Sequence, residues 1–441
     1  MRSVTGCGRP RLGDRGEGTK NMRQDVTRKH FVLGAGASAA GIFSGLASGL
    51  AFNLPAFAKG GPDIPVGVMV PLTGGGAPYG PNMLKAIEIT ADSINKAGGP
   101  IGRQLRIISE DSQTSPDAAV AAAQKLISLN HVGAIIGTWS SAVTLAVLPI
   151  TTQAGVLEMN TSGAGDVTSP KYRRLVFRTQ PTDRPYGLAM ARFSKKQGYR
   201  KLALLVLNNP YALTMRDAIQ GEWRRLGMPN IENIVIYNPK AASYAGEVQK
   251  ALQGNPDLLI IVGYTPDASI IAKEWYAANV KTHVMGPGFA FNDALVKNVG
   301  AAVVNGFFAV DGIPPVTQPG YKAFADTFQA ATGSSLADNF WPAQAHDQMN
   351  LLALAMEAAK STDAAAVAAK MRDIAGPPGV EVYDFATGAK LLREGKKINY
   401  QGASGPCDFD DHHDIVSNFA VWRLDGTSRQ QLELYPAREL I

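Results

Sequence analysis

Residues 64–99 read IPVGVMVPLTGGGAPYGPNMLKAIEITADSINKAGG, an apolar run that leads through a glycine-rich loop into a helical pattern. The first eight residues have the nearly continuous apolar composition of a buried strand. Pro81 then opens an amphipathic helical pattern, which Gly98 closes. Because a strand followed by a helix of this length returns to a parallel partner strand, the stretch predicts an α/β sheet with both faces covered.

The alternation of strand runs and helical patterns continues along the chain in two series. The first series ends at RLVFRTQP, residues 174–181, and the second begins at PYGLAMARFSKKQGY. From Pro314 onward, three helical patterns follow without strands between them, so we expect them to complete an existing domain. The last segment, CDFDDHHDIVSNFAVWRL, predicts a turn into one strand. The other strand runs are RQLRIISED, VGAIIGT, GVLEMN, KLALLVL, NIVIYN, DLLIIVG, HVMGP and VNGFFAV.

Polar and aromatic residues stand directly after several of these strand runs. In an open parallel sheet the carboxyl ends of the strands face one crevice, where ligands bind. Side chains that are distant in sequence are therefore expected to converge on one cleft. None of them is a conventional acid, base or metal ligand, which predicts a protein that holds a small molecule without transforming it. The residues are Tyr79, Ser140, Ser141, Thr161, Ser162, Gly163, Tyr211 and Tyr264.

Composition excludes some classes of function. A chain of 441 residues with 45% hydrophobic content can bury a full core, and about two or three domains are expected. The formal charge of +6 is concentrated in residues 1–58, and the remainder is close to neutral. That balance gives no electrostatic indication of nucleic-acid binding. After residue 58 Cys407 stands alone, so no internal disulfide is expected.

Residues 1–58 have the composition of an export signal. Basic residues in TRKHF precede a Gly/Ala/Leu-rich stretch, and Ala56-Phe57-Ala58 forms an A-x-A cleavage site. We expect cleavage after Ala58 and a periplasmic mature protein. TRKHFVL is similar to a twin-arginine signal, but Lys29 replaces the second arginine, so the Tat-like and Sec routes both stay open. The alternative is an uncleaved membrane anchor.

Several short motifs carry a family resemblance through their order along the chain. They are PLTGGGAPYG with the helix that follows it, EDSQTSPDAAVAAAQKLI, IIGTWSSAV, FRTQPTD and GASGPCDFDDHHD. Together they resemble the type I periplasmic solute-binding proteins, and in particular the leucine/isoleucine/valine-binding proteins of ABC importers. The resemblance covers residues 62–430. It implies two Rossmann-like α/β lobes joined by a three-segment hinge that lets them close on a ligand.

The resemblance also implies how the lobes divide the chain. The first lobe would comprise residues 62–180 with 312–404, and the second 181–311 with 405–441. The crossing segments are expected near Arg178–Pro181, Asp311–Pro315 and Ser404–Asp408.

The resemblance assigns ligand contacts to matching positions. Tyr79 would cover the ligand, and Ser141 would donate to its carboxylate, a role suited to a helix N-terminus. The loop Ser162–Ala164 would bind the head group, with Gly163 allowing close backbone approach. Each residue also has a purely structural alternative, such as helix capping for Ser140 and Ser141 or packing between the lobes for Trp139. The full set is Tyr79, Trp139, Ser140, Ser141, Ser162, Gly163, Ala164, Tyr211, Tyr264, Gly288 and Phe289.

One position departs from the family pattern. Amino-acid binders of this type place an acid after the strand that matches HVMGP, where it pairs with the ligand ammonium, and this chain has Gly288 there. Asp293 or Asp267 could substitute. Two ligand classes therefore stay open: a branched-chain or related α-amino acid, and, because an unpaired buried ammonium is unfavourable, a solute without that cation, such as an aromatic or aliphatic carboxylate or an amide. Phe289 and Phe291 would suit its apolar body, although both could belong to the core.

The sequence therefore predicts a solute-binding protein of an ABC importer that needs no cofactor and no metal, and that docks on permease subunits as a monomer. A ligand sensor of the same fold is the alternative, and an enzyme would need a catalytic pair or metal in the cleft. DFDDHHD, residues 408–414, lacks the ligand spacing of a metal site and is expected to be a solvated turn.

Overall fold

The computed structural model describes residues 61–337, 339–426 and 428–440. The leader predicted over residues 1–58 lies outside these described ranges. Within them, strands and helices alternate as the apolar patterns predict, and the α/β class is confirmed. In the described part of the chain, no helix is both long enough and apolar enough to span a bilayer.

The first sheet is parallel throughout and has the spatial order β2-β1-β3-β4-β5. Buried apolar residues dominate β1, β3, β4 and β5 because helices cover the faces of the sheet. Its strands are β1 (Ile64–Val70), β2 (Leu105–Asp111), β3 (Ala134–Thr138), β4 (Leu157–Asn160) and β5 (Val176–Arg178). The helices between them are α1 (Gly80–Lys96), α2 (Pro116–Ser128) and α3 (Ser141–Ala154).

The second sheet repeats this arrangement. Its parallel part has the order β7-β6-β8-β9-β10. The helices are α4 (Arg184–Lys196), α5 (Pro210–Arg225), α6 (Ala245–Ala251), α7 (Thr265–Ala277), α8 (Asp293–Val299) and α9 (Ala301–Val304). The strands are β6 (Leu202–Leu207), β7 (Asn233–Tyr237), β8 (Leu258–Val262), β9 (His283–Pro287) and β10 (Phe308–Gly312).

The segment after β10 returns to the first sheet, as expected for helices that complete an existing domain. Its longest helix packs against α1 and is buried on nearly all sides. The helices are α10 (Pro319–Thr332), α11 (Trp341–Ala359), α12 (Ala364–Ala375) and α13 (Phe385–Arg393). A small separate sheet follows, formed by β11 (Val380–Val382), β12 (Ile398–Gly402) and β13 (Gly405–Pro406).

The tail differs from the prediction of a single strand. It forms an antiparallel hairpin of β14 (Phe419–Asp425) and β15 (Ser428–Tyr435), and β14 pairs antiparallel with β10. The prediction stopped at β14 because β15, SRQQLELY, is an exposed edge strand with few apolar residues. The lobe boundaries taken from the resemblance stay a prediction.

Glu158 on β4 is a fully buried carboxylic acid. It accepts hydrogen bonds from Thr138 Oγ1 at 2.9 Å and Thr151 Oγ1 at 3.3 Å. Burial raises its pKa to about 8, and the two hydroxyls offset only part of that effect. Since the folded state then keeps this proton to a higher pH than the unfolded state, the group makes the free energy of unfolding fall between about pH 5 and pH 8.

We expect Glu158→Gln to remove that contribution, which reduces the fall by up to about 1.4 kcal/mol per pH unit. Urea unfolding at a series of pH values measures the slope. Glu88→Gln is the matched control, because Glu88 is an exposed glutamate on α1 whose side chain is 44% accessible. If Glu158→Gln leaves the slope unchanged, the folded protein ionises Glu158 as readily as the unfolded chain does.

Candidate ligand site

Both sheets have a topological switch point next to their first strand. In the first sheet β1 lies between β2 and β3, and in the second β6 lies between β7 and β8. A crevice opens at the carboxyl ends of strands where such an order reverses. Tyr79 and Trp139 follow β1 and β3, whereas Tyr211 and Tyr264 follow β6 and β8. The predicted residues therefore stand at the switch points of both sheets.

These side chains meet in one buried cluster, which we call the aromatic seam. The Trp139 ring lies 4.9 Å from the Tyr79 ring and 4.7 Å from the Tyr264 ring, measured between centroids. Tyr211 stacks on Tyr264 at 4.9 Å. The residues of the seam are each at most 9% exposed, except Phe289, which is partly exposed. The seam comprises Tyr79, Trp139, Tyr211, Tyr264, Phe289 and Trp341.

Hydrogen bonds across the seam join the two sheets. The Tyr79 hydroxyl donates to the Phe289 carbonyl oxygen at 2.6 Å and lies 2.8 Å from Thr265 Oγ1. The Tyr264 hydroxyl donates to Ser140 Oγ at 3.3 Å. Ser140 is the N-cap residue of α3, but its side chain makes no capping hydrogen bond. Its hydroxyl faces the second sheet instead, so the capping alternative for Ser140 is wrong.

The loop Ser162–Ala164 is held by its neighbours in the first sheet. The Ala164 N–H donates to Ser141 Oγ at 3.2 Å, and the Ser162 hydroxyl lies against Trp139 O and Thr144 Oγ1. Ser141 accepts here, so its own hydroxyl hydrogen is left to donate. The Ser162 side chain is used within the protein, which leaves the backbone of the loop as its means of contacting a ligand.

The buried Arg178 side chain holds the loop Ser162–Ala164 in place. The side chain has no solvent exposure, and its Nη1 donates to Ser162 O and Ala164 O, each at 2.8 Å. Its Nε and Nη2 contact Asp414 Oδ1 at 2.9 and 2.8 Å. The segment 408–414 is a turn, but it is not simply solvated: Asp414 is 8% exposed, and His413 stacks on Phe177 at 4.2 Å. The turn anchors the loop through Arg178.

Asp183 is a site residue that the sequence analysis did not select. It is 4% exposed and is the N-cap residue of α4, but its side chain makes no capping hydrogen bond, and its Oδ2 has no partner among the described residues. A Cβ at Gly163 would lie 2.0 Å from Asp183 Oδ1, so the loop needs glycine there. Burial raises the pKa of Asp183 to about 8, and the charge of Arg178 opposes the shift only in part. The FRTQPTD motif was the available signal.

Other buried polar atoms near the seam also have no partner among the described residues. They are the Tyr211 hydroxyl and Gln344 Oε1, together with Asp183 Oδ2. Buried polar groups in proteins are nearly always hydrogen-bonded. A polar solute bound beside the seam would supply partners for such groups.

A cavity of about 390 Å³ opens beside the seam. Tyr79, Gly288 and Phe289 line it, whereas the predicted residues Trp139, Ser140, Ser141, Ser162, Gly163, Ala164, Tyr211 and Tyr264 do not. Phe291 is fully buried and packs against Gly286 and Phe307, so it belongs to the core. Further lining residues that the sequence analysis missed include Gln180, Tyr186, Asn292, Asp311, Trp341 and Gln344.

Neither Asp293 nor Asp267 takes the place of the acid that the family pattern puts at position 288. Asp293 is 70% exposed in its side chain and pairs with Arg429 at 3.5 Å. Asp267 accepts from the Tyr244 hydroxyl at 2.8 Å and lines a different pocket, not the cavity beside the seam. Asp311 lines the cavity, whereas Asp183 lies against Gly163 and does not line it. Within the described ranges, no group of His, Cys, Asp and Glu could hold a metal ion.

The structure has two α/β halves, and the carboxyl ends of their strands meet at the buried aromatic seam. Some polar atoms near this seam have no hydrogen-bond partner. These features define a two-lobed small-molecule-binding protein. The sequence profile of the family described as Periplasmic binding protein matches residues 63–429. The chain belongs to this family, whose members bind solutes and are not enzymes. The family resemblance, the two-lobed fold and an extracytoplasmic location are thereby confirmed.

Curated relatives cover most of the chain at low identity. "Leu/Ile/Val-binding protein homolog 3" of Brucella melitensis is 23% identical over 365 residues, which is 82% of this chain and 92% of the relative. The chemotactic signal transduction system substrate-binding protein BasB of Halobacterium salinarum is 24% identical over 388 residues, 85% of this chain and 90% of the relative.

Solved structures share the fold. The leucine-binding protein LivK of Thermotoga maritima has a TM-score of 0.73 at 21% identity, covering 85% of this chain and 99% of that protein. A solute-binding protein of an ABC transporter from R. palustris, solved with benzoate, has a TM-score of 0.71 at 21% identity, covering 85% and 97%. At this identity the likeness concerns the fold alone.

Proposed function

We propose that this protein is the extracytoplasmic solute-binding component of an ABC importer, which traps a small carboxylate-bearing solute at the aromatic seam and delivers it unchanged to a permease. The solute would be a branched-chain or related amino acid, or an aromatic or aliphatic acid. A cleaved leader over residues 1–58 would export the chain. Capture without chemistry is the behaviour expected of this family of binding proteins.

The observation that carries the proposal is the set of unpaired polar atoms near the aromatic seam. Asp183 Oδ2 and the Tyr211 hydroxyl are buried between the two sheets without partners among the described residues. Leaving such groups unpaired costs about 1–3 kcal/mol each, so a solute that hydrogen-bonds to them gains affinity. Gln344 Oε1 on α11, the helix that returns to the first sheet, is also unpaired, so a solute that satisfies it together with the Tyr211 hydroxyl favours the closed arrangement.

The surroundings suit a carboxylate attached to an apolar body. The N-terminus of α3 begins at Ser141 beside the loop Ser162–Ala164, and helix N-termini favour anionic groups. The rings of Trp139, Tyr211 and Tyr264 offer an apolar surface next to it. Leucine, isoleucine, valine and benzoate, named for the relatives, share this combination of a carboxylate with an apolar body.

A sensing role is the second candidate, and the relative BasB supports it because its name places it in a chemotactic signal transduction system. The binding chemistry would be the same, and the partner of the closed form would be a signalling protein instead of a permease. Reconstitution decides between them: solute uptake that depends on this protein, into vesicles that contain an ABC permease and its ATPase, supports transport, whereas solute-dependent binding to a signalling receptor supports sensing.

The experiment that tests binding is a thermal-shift screen of the mature protein against amino acids, aromatic acids, short-chain carboxylates and amides. A solute at a hundred times its dissociation constant should add about 2.7 kcal/mol to the free energy of unfolding. We expect Tyr264→Ala to lose the shift, because it removes the ring that joins Trp139 to Tyr211.

Tyr276→Ala is the matched control, since Tyr276 is 53% exposed on α7, the same helix that Tyr264 precedes. It should retain the full shift. Mass spectrometry of the released solute completes the test. A screen in which no compound stabilises the protein, or a solute recovered in altered form, would contradict the proposed function.

A further inference from the structure

Two residues that line the cavity beside the aromatic seam each hold a buried polar atom without a partner. Gln344 is 3% exposed, and its Oε1 is unpaired among the described residues. Asn339 lines the same cavity, and its Nδ2 is unpaired as well, whereas its Oδ1 accepts from the Trp341 N–H at 3.2 Å. These residues therefore offer one unused acceptor and one unused donor, and both groups are neutral.

A chain of hydrogen bonds determines which end of the Gln344 amide is left over. The Gln344 Nε2 donates to Gln180 Oε1, and the Gln180 Nε2 donates to the Tyr186 hydroxyl oxygen at 3.5 Å. The Tyr186 hydroxyl in turn donates to Asp311 Oδ1 at 2.8 Å. Because an ionised carboxylate can only accept, each group along the chain must donate towards Asp311. The Gln344 oxygen ends the chain and is left as an acceptor.

The Asp311 carboxyl is in the ionisation state that this order requires. Burial raises its pKa to about 6, while the hydrogen bond from Tyr186 and the charge of Arg429 oppose that shift. The group is therefore largely ionised at neutral pH. Since the charge of Arg429 already acts on Asp311, the solute needs no cation in this part of the cavity.

The cavity adjoins the seam through shared aromatic residues. Tyr79, Phe289 and Trp341 belong to the seam and also line the cavity, which has a volume of about 390 Å³. A solute that places its carboxylate at the N-terminus of α3 and its apolar body along these rings can extend its far end into the cavity. The far end then lies in the space that Gln344 and Asn339 line.

We propose that Gln344 and Asn339 form a subsite for a primary carboxamide at the far end of the solute. The amide N–H would donate to Gln344 Oε1, and the amide carbonyl would accept from Asn339 Nδ2. A primary carboxamide presents a donor and an acceptor without charge, which matches the two unpaired atoms. This inference rests on the proposed function and names its substrate class as carboxylates that end in a carboxamide.

The test compares carboxylates in which the amide NH₂ is replaced by a methyl group of similar size. The pairs are 4-carbamoylbenzoate with 4-acetylbenzoate, 5-amino-5-oxopentanoate with 5-oxohexanoate, and glutamine with 2-amino-5-oxohexanoate, measured by isothermal titration calorimetry at pH 7. The wild type should bind the amide of at least one pair about tenfold more tightly, because the methyl ketone leaves Gln344 Oε1 unpaired. Gln344→Met should reduce that ratio below about threefold, since it removes the acceptor.

Gln348→Met is the matched control, because Gln348 lies one turn further along α11 and is fully buried. Both ends of its amide are used within the protein: Nε2 donates to Thr179 Oγ1 at 3.0 Å, and Oε1 accepts from the Gly137 N–H at 2.9 Å. The residue does not line the cavity. Its replacement should lower the free energy of unfolding but keep the wild-type ratio.

Asn339→Asp is a second variant that keeps the local turn. Its carboxylate still accepts from the Trp341 N–H, but it has no donor for a solute carbonyl. The methyl ketone of the responding pair is compared with an analogue that carries a methyl group in place of the carbonyl oxygen. The wild type should prefer the ketone by about fivefold, and Asn339→Asp should lose that preference.

The outcomes separate this subsite from the proposed function. The subsite is overturned, and the proposed function stands, if amide and methyl ketone bind equally or if none of the three pairs binds while another screened carboxylate does. The same conclusion follows if Gln344→Met or Asn339→Asp keeps the wild-type preference, or if Gln348→Met loses the ratio as fully as Gln344→Met. If no compound of the wider screen binds, the proposed function fails and the subsite fails with it.

Discussion

Replacing Arg178 with alanine is expected to lower the free energy of unfolding by about 3–5 kcal/mol, because it leaves the buried Asp414 carboxylate without its cation. The same change frees the Ser162 and Ala164 carbonyl groups, each of which accepts from Arg178 Nη1 at 2.8 Å. A loosened loop can no longer present its backbone to a solute. Solute binding should therefore be lost as well. Urea unfolding and calorimetry measure the two effects.

Arg372→Ala is the control for this prediction. Arg372 pairs with Asp411 in the same turn at 3.0 Å, but the two side chains are 49% and 87% exposed, and exposed pairs contribute little. The double variant Arg178→Met with Asp414→Asn should recover part of the lost stability, because it removes the unpaired charge. If Arg178→Ala unfolds at the same urea concentration as Arg372→Ala, the buried pair does not hold the turn to the loop.

Opening of the seam must break specific contacts, and this links the fold to solute exchange. The Tyr79 hydroxyl bonds to Phe289 O, and the Tyr264 hydroxyl bonds to Ser140 Oγ, so each half contributes a donor to the other. A solute that pairs with Tyr211 after β6 and with Gln344 on α11 would shift the equilibrium towards the closed form.

Local patterns were sufficient to predict the parallel sheets and the residues at their switch points. Apolar runs of five to seven residues mark β1, β3 and β8 because both faces of these strands are buried. Tyr79, Trp139 and Tyr264 then follow from the rule that carboxyl ends of strands face a crevice. Strand β15 could not be predicted in this way, because an exposed edge strand needs no apolar pattern.

The acids of the site could not be predicted because their positions depend on contacts that are distant in sequence. Asp311 reaches the space beside Gly288 through the pairing of β10 with β9, 23 residues along the chain, and no local motif records that register. Asp183 lies against Gly163 across the first crossing segment. By contrast, the search for an acid near Gly288 in sequence led to Asp293, which the structure places on an exposed helix surface.

Asp183→Asn is expected to weaken solute binding by about 30-fold while stabilising the protein without solute. At neutral pH the folded protein keeps the Asp183 proton, so its replacement removes a hydrogen bond to the solute and leaves a buried solute group unpaired, which costs about 1–3 kcal/mol of binding free energy. In the absence of solute the same carboxyl lowers the free energy of unfolding, because burial raises its pKa to about 8 and its Oδ2 accepts no hydrogen bond from the described residues. An amide of equal size carries no charge that burial must suppress.

The size of the stability gain from Asp183→Asn depends on pH. The folded state keeps the Asp183 proton up to about pH 8, whereas the unfolded chain loses it near pH 4, so the carboxyl destabilises the fold increasingly between those values. The gain from Asp183→Asn should therefore be largest at pH 8 and vanish near pH 4 in urea unfolding. Asp217→Asn, at an exposed aspartate on α5, should change neither quantity.

Opposite movements of affinity and stability distinguish a ligand-binding residue from a structural one. If Asp183 had only a structural role, its replacement would lower both the solute affinity and the free energy of unfolding, because Gly163 and Tyr211 would repack around the amide. A solute-binding Asp183 is kept in an unfavourable environment that only the solute relieves, so replacing it separates the two quantities. If Asp183→Asn binds every solute that stabilises the wild type with unchanged affinity, Asp183 does not contact the solute. The solute would then satisfy the Tyr211 hydroxyl without Asp183.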